Sequence, residues 1–185
     1  DGVDVRGKSA GEVVSLIRGE IDTSVGITVE REDFLQTITY TLTRALIQLD
    51  YLEAKMIDNA IYVDINLFTQ LAFIDFTEAV QPLVEANPQA KGFILDVRDN
   101  PGGFLESAKS ILGHFIPNGH ALLYVKTAKD HVQLHLSTGK GEWKDYPIVI
   151  LINGESASAS EIVDMKLKEK ARANLVGETT FGKGT

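Results

Sequence analysis

Three short loops of the 185-residue chain hold residues whose types could together perform nucleophilic chemistry. The middle loop carries serines at alternate positions, Ser156, Ser158 and Ser160, where a predicted helix begins. Backbone amides at a helix N-terminus lack intrahelical partners and create positive potential, so they can stabilise an oxyanion beside a reacting hydroxyl. Helix capping alone also explains serines at this place, because serine is a preferred N-cap residue.

The two other loops supply a glycine pair and a lysine. The loop at 98–103 ends in Gly102 and Gly103, whose backbone amides no side chain shields from a ligand. The loop at 179–185 holds Lys183 between two glycines. A lysine in a tight, partly buried loop can lose its proton near neutral pH and then deprotonate a serine. Taken singly, an ordinary strand-to-helix turn and a surface lysine are the simpler interpretations.

Buried strands are predicted to bring the three loops to one edge of a sheet. The apolar runs at 92–97 and 147–152 are typical of strands buried on both faces, and each leads into one of the loops. Helices are predicted at 105–115 and 157–170, and a short strand at 173–176. This alternation indicates a layered α/β domain with a largely parallel sheet, and such folds place their sites at the carboxyl ends of the strands.

Further elements precede and interrupt this pattern. The capping box from Ser9 to Glu12 predicts a short helix, which a strand at 24–30 follows. Residues 34–47 alternate threonine with apolar side chains, which predicts a long strand or a linker ribbon. The remaining predicted elements are strands at 51–57 and 61–68, a helix at 76–83 that ends before Pro88, and a hairpin at 121–126 and 131–136.

Composition excludes several classes of function. A net charge of −8 repels phosphate backbones, so a nucleic-acid partner is not expected. The absence of cysteine excludes disulfides, cysteine metal sites and a cysteine nucleophile. His131 and His135 are four apart in a strand pattern, a spacing that does not converge on one ion, so no metal site is predicted. The longest apolar run is too short to span a bilayer, and no signal peptide is visible.

Three stretches together resemble the signatures of the carboxyl-terminal processing proteases, the tail-specific serine peptidases. They are DVRDNPGG at 96–103, SASASEI at 156–162 and VGETTFGKGT at 176–185. Their order agrees with the family, and so does the separation of 183 − 158 = 25 positions between its nucleophile and its base. Residues 1–31 resemble the second half of a PDZ domain, which precedes the protease core in this family.

The resemblance implies an α/β fold and a hydrolytic activity. The fold is a layered crotonase/ClpP-like protease core at 32–185, incomplete at its C-terminal end, after a partial PDZ (α+β) domain at 1–31. The activity is that of a serine endopeptidase with a Ser/Lys dyad, which cleaves proteins near their C-termini without a metal or another cofactor. The implied roles are nucleophile for Ser158, general base for Lys183, and oxyanion hole for the backbone N–H groups of Ala159 and Gly103.

The resemblance also implies substrates and a location. Substrates would be proteins or peptides with an accessible C-terminus, and the location would be extracytoplasmic, in the periplasm or cell envelope. Envelope association, homo-oligomers and the activity of the stretch 1–185 by itself remain open. A catalytically inactive peptide-binding or scaffold member of the same fold is the alternative. Its supporting feature is the helix after Ser160, where Asp164 and Lys166 replace small apolar residues, and where Asp164 could pair with Lys168 on an exposed face.

Overall fold

The chain divides into two compact units, Asp1–Leu49 and Asp50–Thr185. The division follows Leu49, whereas the sequence predicts it after residue 31. The computed structural model describes residues 2–31, 37–45, 51–126 and 131–183. Within these ranges, no helix is both long and apolar enough to cross a membrane.

Among its described residues, the smaller unit has one helix and one strand pair. Helix α1 (Ala10–Ile17) begins at the predicted capping box, in which the Ser9 N–H donates to Glu12 Oε2 at 2.8 Å. Strand β1 (Ser24–Val29) pairs antiparallel with β2 (Ile38–Thr43). The predicted strand at 34–47 is thus confirmed at 38–43, while 34–36 and 46–47 lie outside the described residues. Because β2 pairs with β1, it belongs to this unit and not to the layered domain.

The larger unit is built on a five-stranded sheet with the order β3-β4-β5-β8-β9. Strand β3 is antiparallel to β4, and all other neighbours are parallel, which confirms the largely parallel sheet. Hairpin β6-β7 forms a separate two-stranded sheet. The elements are β3 (Leu52–Ile57), β4 (Ala60–Ile65), α2 (Ala72–Ala86), β5 (Gly92–Asp96), α3 (Leu105–Phe115), β6 (Ala121–Lys126), β7 (Val132–Leu136), β8 (Ile148–Ile152), α4 (Ala159–Lys170) and β9 (Asn174–Gly177).

Buried and partly exposed residues alternate along the strands, and the buried ones define the face of the sheet that packs against the helices. In β4, every second residue is fully buried, and the partner residues in β5 and β8 continue the same row. Apolar residues of α2, α3 and α4 pack against this row in one core cluster. Burying a large apolar side chain stabilises a fold by about 1.5–3 kcal/mol, so the cluster fixes the position of each helix against the strands. Its helix members include Phe76, Val80, Ile111, Leu112, Val163 and Leu167.

Two helices differ from the prediction at their ends. Helix α2 is longer than the predicted 76–83 and continues past Pro82. It ends at Ala86, before Pro88, and its C-cap is Asn87, whose Nδ2 donates to the Leu83 carbonyl at 2.8 Å. Helix α4 begins at Ala159, two residues later than predicted, because the chain turns sharply at Ser158. That turn lies at the carboxyl end of β8 and is part of the site described next.

Candidate active site

Three loops meet at the carboxyl edge of the parallel strands, as the sequence predicts. They follow β5, β8 and β9 and hold the glycine pair, the serines and the lysine respectively. Backbone contacts join them, since the Ala157 N–H donates to the Asn100 carbonyl at 3.0 Å and the Phe181 N–H to the Ser156 carbonyl at 3.0 Å. Three loops that are far apart in sequence are therefore gathered at one edge of the sheet.

Ser158 occupies a sharp turn between strand and helix. Its backbone has φ 56° and ψ −113°, a combination that an L-residue adopts at a cost of about 1–3 kcal/mol. A strained turn of this kind between a strand and a helix exposes the side chain at its tip. Nucleophilic serines in other α/β folds have the same geometry. Ser158 is half-buried and is the N-cap of α4.

The three serines of the loop have different environments. Ser156 and Ser160 are both fully buried. Their hydroxyls hold backbone carbonyls, because Ser156 Oγ donates to Val97 at 2.7 Å and Ser160 Oγ donates to Asn100 at 3.0 Å. Ser158 alone of the three retains exposed surface. A substrate can therefore reach the middle hydroxyl, while the outer two join the serine loop to the segment that follows β5.

The glycine pair lies directly against the serine turn. A Cβ placed on Gly102 would come within 2.7 Å of Ser158 Cβ and 2.9 Å of the Ala159 nitrogen. A Cβ on Gly103 would collide with the Phe68 carbonyl oxygen. Both glycines also have positive φ, at 103° and 134°, which favours glycine. Two loops that are more than 50 residues apart in sequence thus pack backbone to backbone beside Ser158.

Two backbone N–H groups near Ser158 remain available to a ligand. Neither Gly103 N–H nor Ala159 N–H donates a backbone hydrogen bond within the described ranges, although neighbours such as Phe104 N–H do. Paired free amides beside a hydroxyl are the arrangement that stabilises an oxyanion. These are the two residues for which the family resemblance implies that role.

Lys183 lies in the loop after β9. The loop is anchored at its start, where the Glu178 N–H donates to the Ile152 carbonyl at 3.2 Å, and near its end by Phe181. The side chain of Lys183 is exposed, whereas the sequence analysis expects a partly buried lysine. Its backbone, in contrast, is fixed by a carboxylate of α4.

That carboxylate belongs to Glu161, one turn into α4. Its Oε2 accepts hydrogen bonds from the N–H groups of Ser158 at 2.8 Å and Lys183 at 2.9 Å. Its Oε1 accepts from the Thr180 hydroxyl at 2.9 Å and the Gly182 N–H at 2.7 Å. Burial by itself would raise the pKa of Glu161, but these four hydrogen bonds outweigh burial and lower the pKa below its usual value. One ionised side chain therefore connects the serine turn to the lysine loop.

The sequence analysis does not assign Glu161, although a signal for it exists. Ser158 and Glu161 fit the same Ser-x-x-Glu pattern that predicts the start of α1 at Ser9 and Glu12. That pattern predicts only the bond to Ser158. The bonds to the lysine loop depend on the pairing of β8 with β9, which brings the two loops together.

Two charged residues of α4 differ from the expected arrangement. Asp164 is only 5% exposed, so an exposed pair with Lys168 is wrong. Burial, reinforced by the charge of Glu161, raises the pKa of Asp164 to about 7. Lys166 instead pairs with Glu169 at 2.6 Å. The helix thus packs a titratable carboxyl toward the protein interior, less than two turns from Ser158.

The strand that leads into the glycine loop ends in a second ionic group. Asp96 is 2% exposed and accepts from Arg98 Nη2 at 2.6 Å and from the Tyr62 hydroxyl at 2.8 Å. Burial would raise the pKa of Asp96, but these hydrogen bonds lower it below its usual value. The group holds the start of the loop against β4. Within the described residues, no cluster of three or more metal-ligating side chains is present.

Comparisons with known proteins show which family the chain resembles. The model of peptidase family S41 matches residues 59–185. The carboxy-terminal processing proteases CtpB and CtpA of Bacillus subtilis (strain 168) are 32% and 34% identical to this chain over 189 and 186 residues. Each alignment covers all of this chain and 39% of the relative. A carboxyl-terminal-processing protease of Synechocystis is 33% identical, with 43% of its length covered.

A solved structure has the same fold. The photosystem II D1 C-terminal processing protease superposes with a TM-score of 0.72 and covers 99% of this chain and 50% of its own. At 24% identity, this likeness concerns the fold. The chain therefore spans about two fifths to one half of the length of the proteins that it resembles.

Proposed function

The chain belongs to peptidase family S41, and on that basis we propose that it acts as a serine endopeptidase with Ser158 as nucleophile and Lys183 as general base. One observation carries the proposal. The Glu161 carboxylate accepts hydrogen bonds from the backbone N–H groups of both residues, which are 25 positions apart. A shared ionised anchor of this kind supports a functional pairing of the two loops.

The first half of the reaction acylates the serine. The Lys183 amine takes the proton of Ser158 Oγ, and the oxygen attacks the carbonyl carbon of the scissile peptide. The resulting oxyanion accepts hydrogen bonds from the N–H groups of Gly103 and Ala159, each of which is worth about 10²–10³ in rate. The Lys183 ammonium then returns the proton to the leaving amine as the C–N bond breaks, and an acyl-enzyme remains.

The second half repeats the proton transfers with water. Lys183, neutral again, deprotonates a water molecule that attacks the ester carbonyl of the acyl-enzyme. The same two N–H groups receive the oxyanion, and the proton passes to Ser158 Oγ as the ester bond breaks. In the proposed complex the bound peptide covers the exposed amine of Lys183 and excludes water from the reacting groups.

Substrate selection is the second part of the proposal. The curated relatives are named for carboxy-terminal processing, and we extend that preference to this chain. The sequence of residues 1–31 resembles the second half of a PDZ domain, a module that holds peptide C-termini by strand addition. Protein substrates with accessible C-termini and an extracytoplasmic location complete the proposal.

Loss-of-function variants test the dyad. Ser158→Ala and Lys183→Ala should each lower hydrolysis of an unfolded protein by at least about 10³-fold, in line with the loss of other catalytic nucleophiles and bases. Circular dichroism should show both variants folded. Lys144→Ala, which removes another exposed lysine of the larger unit, is the matched control and should keep full activity.

Covalent labelling tests the nucleophile directly. A peptidyl phosphonate should add its mass to Ser158 in the unmodified protein, and labelling should slow markedly in Lys183→Ala. Labelling that stays equally fast without Lys183 would exclude this lysine as the base. Labelling of another residue, or full hydrolysis by Ser158→Ala, would exclude the serine mechanism as proposed.

A further inference from the structure

Asn100 is a fully buried polar residue at the centre of the three loops. It follows β5, precedes the glycine pair, and has no exposed surface. Its side chain makes two hydrogen bonds. Nδ2 donates to the Ile65 carbonyl at 2.6 Å, and Oδ1 accepts from the Gly102 N–H at 2.8 Å. The amide side chain thus holds the glycine turn to the end of β4.

The main chain of Asn100 connects the turn at Gly102 and Gly103 to the loop that carries Ser158. Its carbonyl accepts from the Ala157 N–H at 3.0 Å and from Ser160 Oγ at 3.0 Å. These partners flank Ser158 on both sides. Side chain and backbone together make Asn100 a junction between β4, the glycine turn and the serine turn.

The consequence concerns the direction of one N–H group. The peptide between Gly102 and Gly103 is planar and trans, so its carbonyl and its N–H point in opposite directions. The Gly102 carbonyl accepts from the Phe68 N–H at 2.9 Å. Gly103 N–H therefore points away from the 66–69 segment. Asn100 Oδ1 holds the N–H of the preceding Pro101–Gly102 peptide, so both peptides that meet at Gly102 are restrained by a hydrogen bond.

We propose that Asn100 is a positioning residue of the oxyanion hole, which it serves by holding the Pro101–Gly102 peptide so that the next peptide directs the Gly103 N–H at the substrate carbonyl. The inference rests on the proposed function of Gly103 and Ser158. Glycine has unusual freedom of φ and ψ, so two consecutive glycines need such a restraint to keep one amide direction. Asn100 contacts no reacting atom and acts through the peptide that it holds.

The test is kinetic and uses a matched control. Asn100→Ala removes the acceptor for the Gly102 N–H and should lower kcat by about 10²-fold, the effect of losing one oxyanion donor, while KM changes by less than about threefold. A reversible peptidyl boronic acid, which mimics the tetrahedral intermediate, should lose affinity in parallel with kcat. Asn100→Ser can restore the acceptor through a hydroxyl turn and should recover kcat to within about tenfold of the original.

Ser137 provides the control, because it makes the same turn elsewhere in the larger unit. Its Oγ donates to the Ile116 carbonyl and accepts from the Gly139 N–H at 3.3 Å, and the residue is 1% exposed. Ser137→Ala should lower the melting temperature while kcat and boronate affinity stay unchanged. A purely structural role for Asn100 predicts the same result for Asn100→Ala, and that result would overturn the proposal.

The remaining outcomes are also decisive. If Asn100→Ala does not fold, Asn100→Leu replaces it, since leucine has a similar shape and accepts no hydrogen bond. Failure of both to fold would assign Asn100 to the scaffold and overturn the inference. If Ser158→Ala retains activity, the proposed function itself fails. If Ser158→Ala is inactive while Asn100→Ala keeps its kcat, only the role of Asn100 fails.

Discussion

The backbone of Gly102 and Ser158 shows how single residues set the site. Both have positive φ, at 103° and 56°, and they approach each other closely. For the glycine this conformation is cheap, whereas for the serine it stores strain that the surrounding hydrogen bonds must balance. The two turns can pack this closely only while the backbones at Gly102 and Ser158 keep their positions. A single methyl group at position 102 is therefore a sensitive probe of the site.

Gly102→Ala should destabilise the fold by about 2–4 kcal/mol and abolish activity, because the new Cβ adds a steric conflict to the strain of positive φ. The Cβ would lie 2.7 Å from the Ala157 carbonyl oxygen and from Ser158 Cβ. Chemical denaturation and peptide hydrolysis measure the two effects.

Gly119→Ala is the control for that substitution. Gly119 has φ 86°, but a Cβ there meets no atom within 4 Å. It should therefore cost only about 1–2 kcal/mol and leave activity intact. Equal destabilisation by the two variants would contradict the close packing of the glycine and serine turns.

At the scale of elements, α4 contributes more than its N-terminal amides. Glu161 reaches back to the serine turn and across to the loop after β9. The helix therefore connects two loops through a side chain on its first turn. The negative charge of Glu161 is essential to this connection, because four donors share its two carboxylate oxygens.

Glu161→Gln should lower kcat by about 10²-fold, since one of the two oxygens becomes an NH₂ group that faces donors instead of accepting from them. The affected donors are either the backbone N–H groups of Ser158 and Lys183 or the Thr180 hydroxyl and the Gly182 N–H, depending on the amide orientation. Steady-state kinetics at saturating substrate measure the loss. Glu155→Gln, which changes an exposed carboxylate of the same loop, is the control. Equal kcat values for the two variants would show that Glu161 does not position the lysine loop.

The buried carboxyl of α4 makes stability depend on pH. The pKa of Asp164 is raised from 3.8 to about 7 in the folded protein. A raised pKa means that the folded state holds the proton more tightly, so stability falls as pH rises from about 4 and becomes constant above about 7. At 1.36 kcal/mol per pKa unit, the loss reaches up to about 4 kcal/mol.

Asp164→Asn should remove this loss, so it should stabilise the protein at pH 8 by several-fold more than at pH 4. Denaturant unfolding of the variant and of the wild type at both pH values measures this stabilisation. The control Asp145→Asn, which changes an exposed carboxylate, should show no such dependence on pH. A stabilisation that is the same at both pH values would show that Asp164 titrates normally.

Local patterns predict most elements, while long-range pairing explains the differences. Helix α3 has the predicted bounds, and the strands of the parallel sheet follow from their apolar runs. The position of β2 depends on its pairing with β1, which alternation alone does not reveal. The burial of Asp164 depends on how α4 packs, and the bonds of Glu161 depend on the loop after β9. The resemblance supplies the roles of Ser158 and Lys183, whereas composition and spacing leave a capping serine and a surface lysine as alternatives.

At the scale of the whole molecule, the two units differ in how much apolar surface they bury. Every member of the hydrophobic core cluster lies between Ile61 and Ala173, in the larger unit. In the smaller unit, α1 has no buried residue, and Val25 is the buried apolar residue among those described. A chain of 49 residues with so little burial falls below what a cooperative fold usually needs.

The larger unit should therefore fold when residues 1–49 are removed, and the smaller unit should not fold by itself. A chain of residues 50–185 should show one cooperative thermal transition, because it keeps the entire core and both edges of the five-stranded sheet. A chain of residues 58–185 is the control. It loses β3, whose Leu52, Ala54 and Met56 pack against the core, and it leaves β4 as an unpaired edge. It should unfold at a lower temperature by several degrees, or aggregate. Cooperative unfolding of 1–49 in isolation would contradict the inference that the smaller unit buries too little apolar surface to fold. Equal stability of the two truncated chains would contradict the contribution of β3 to the core.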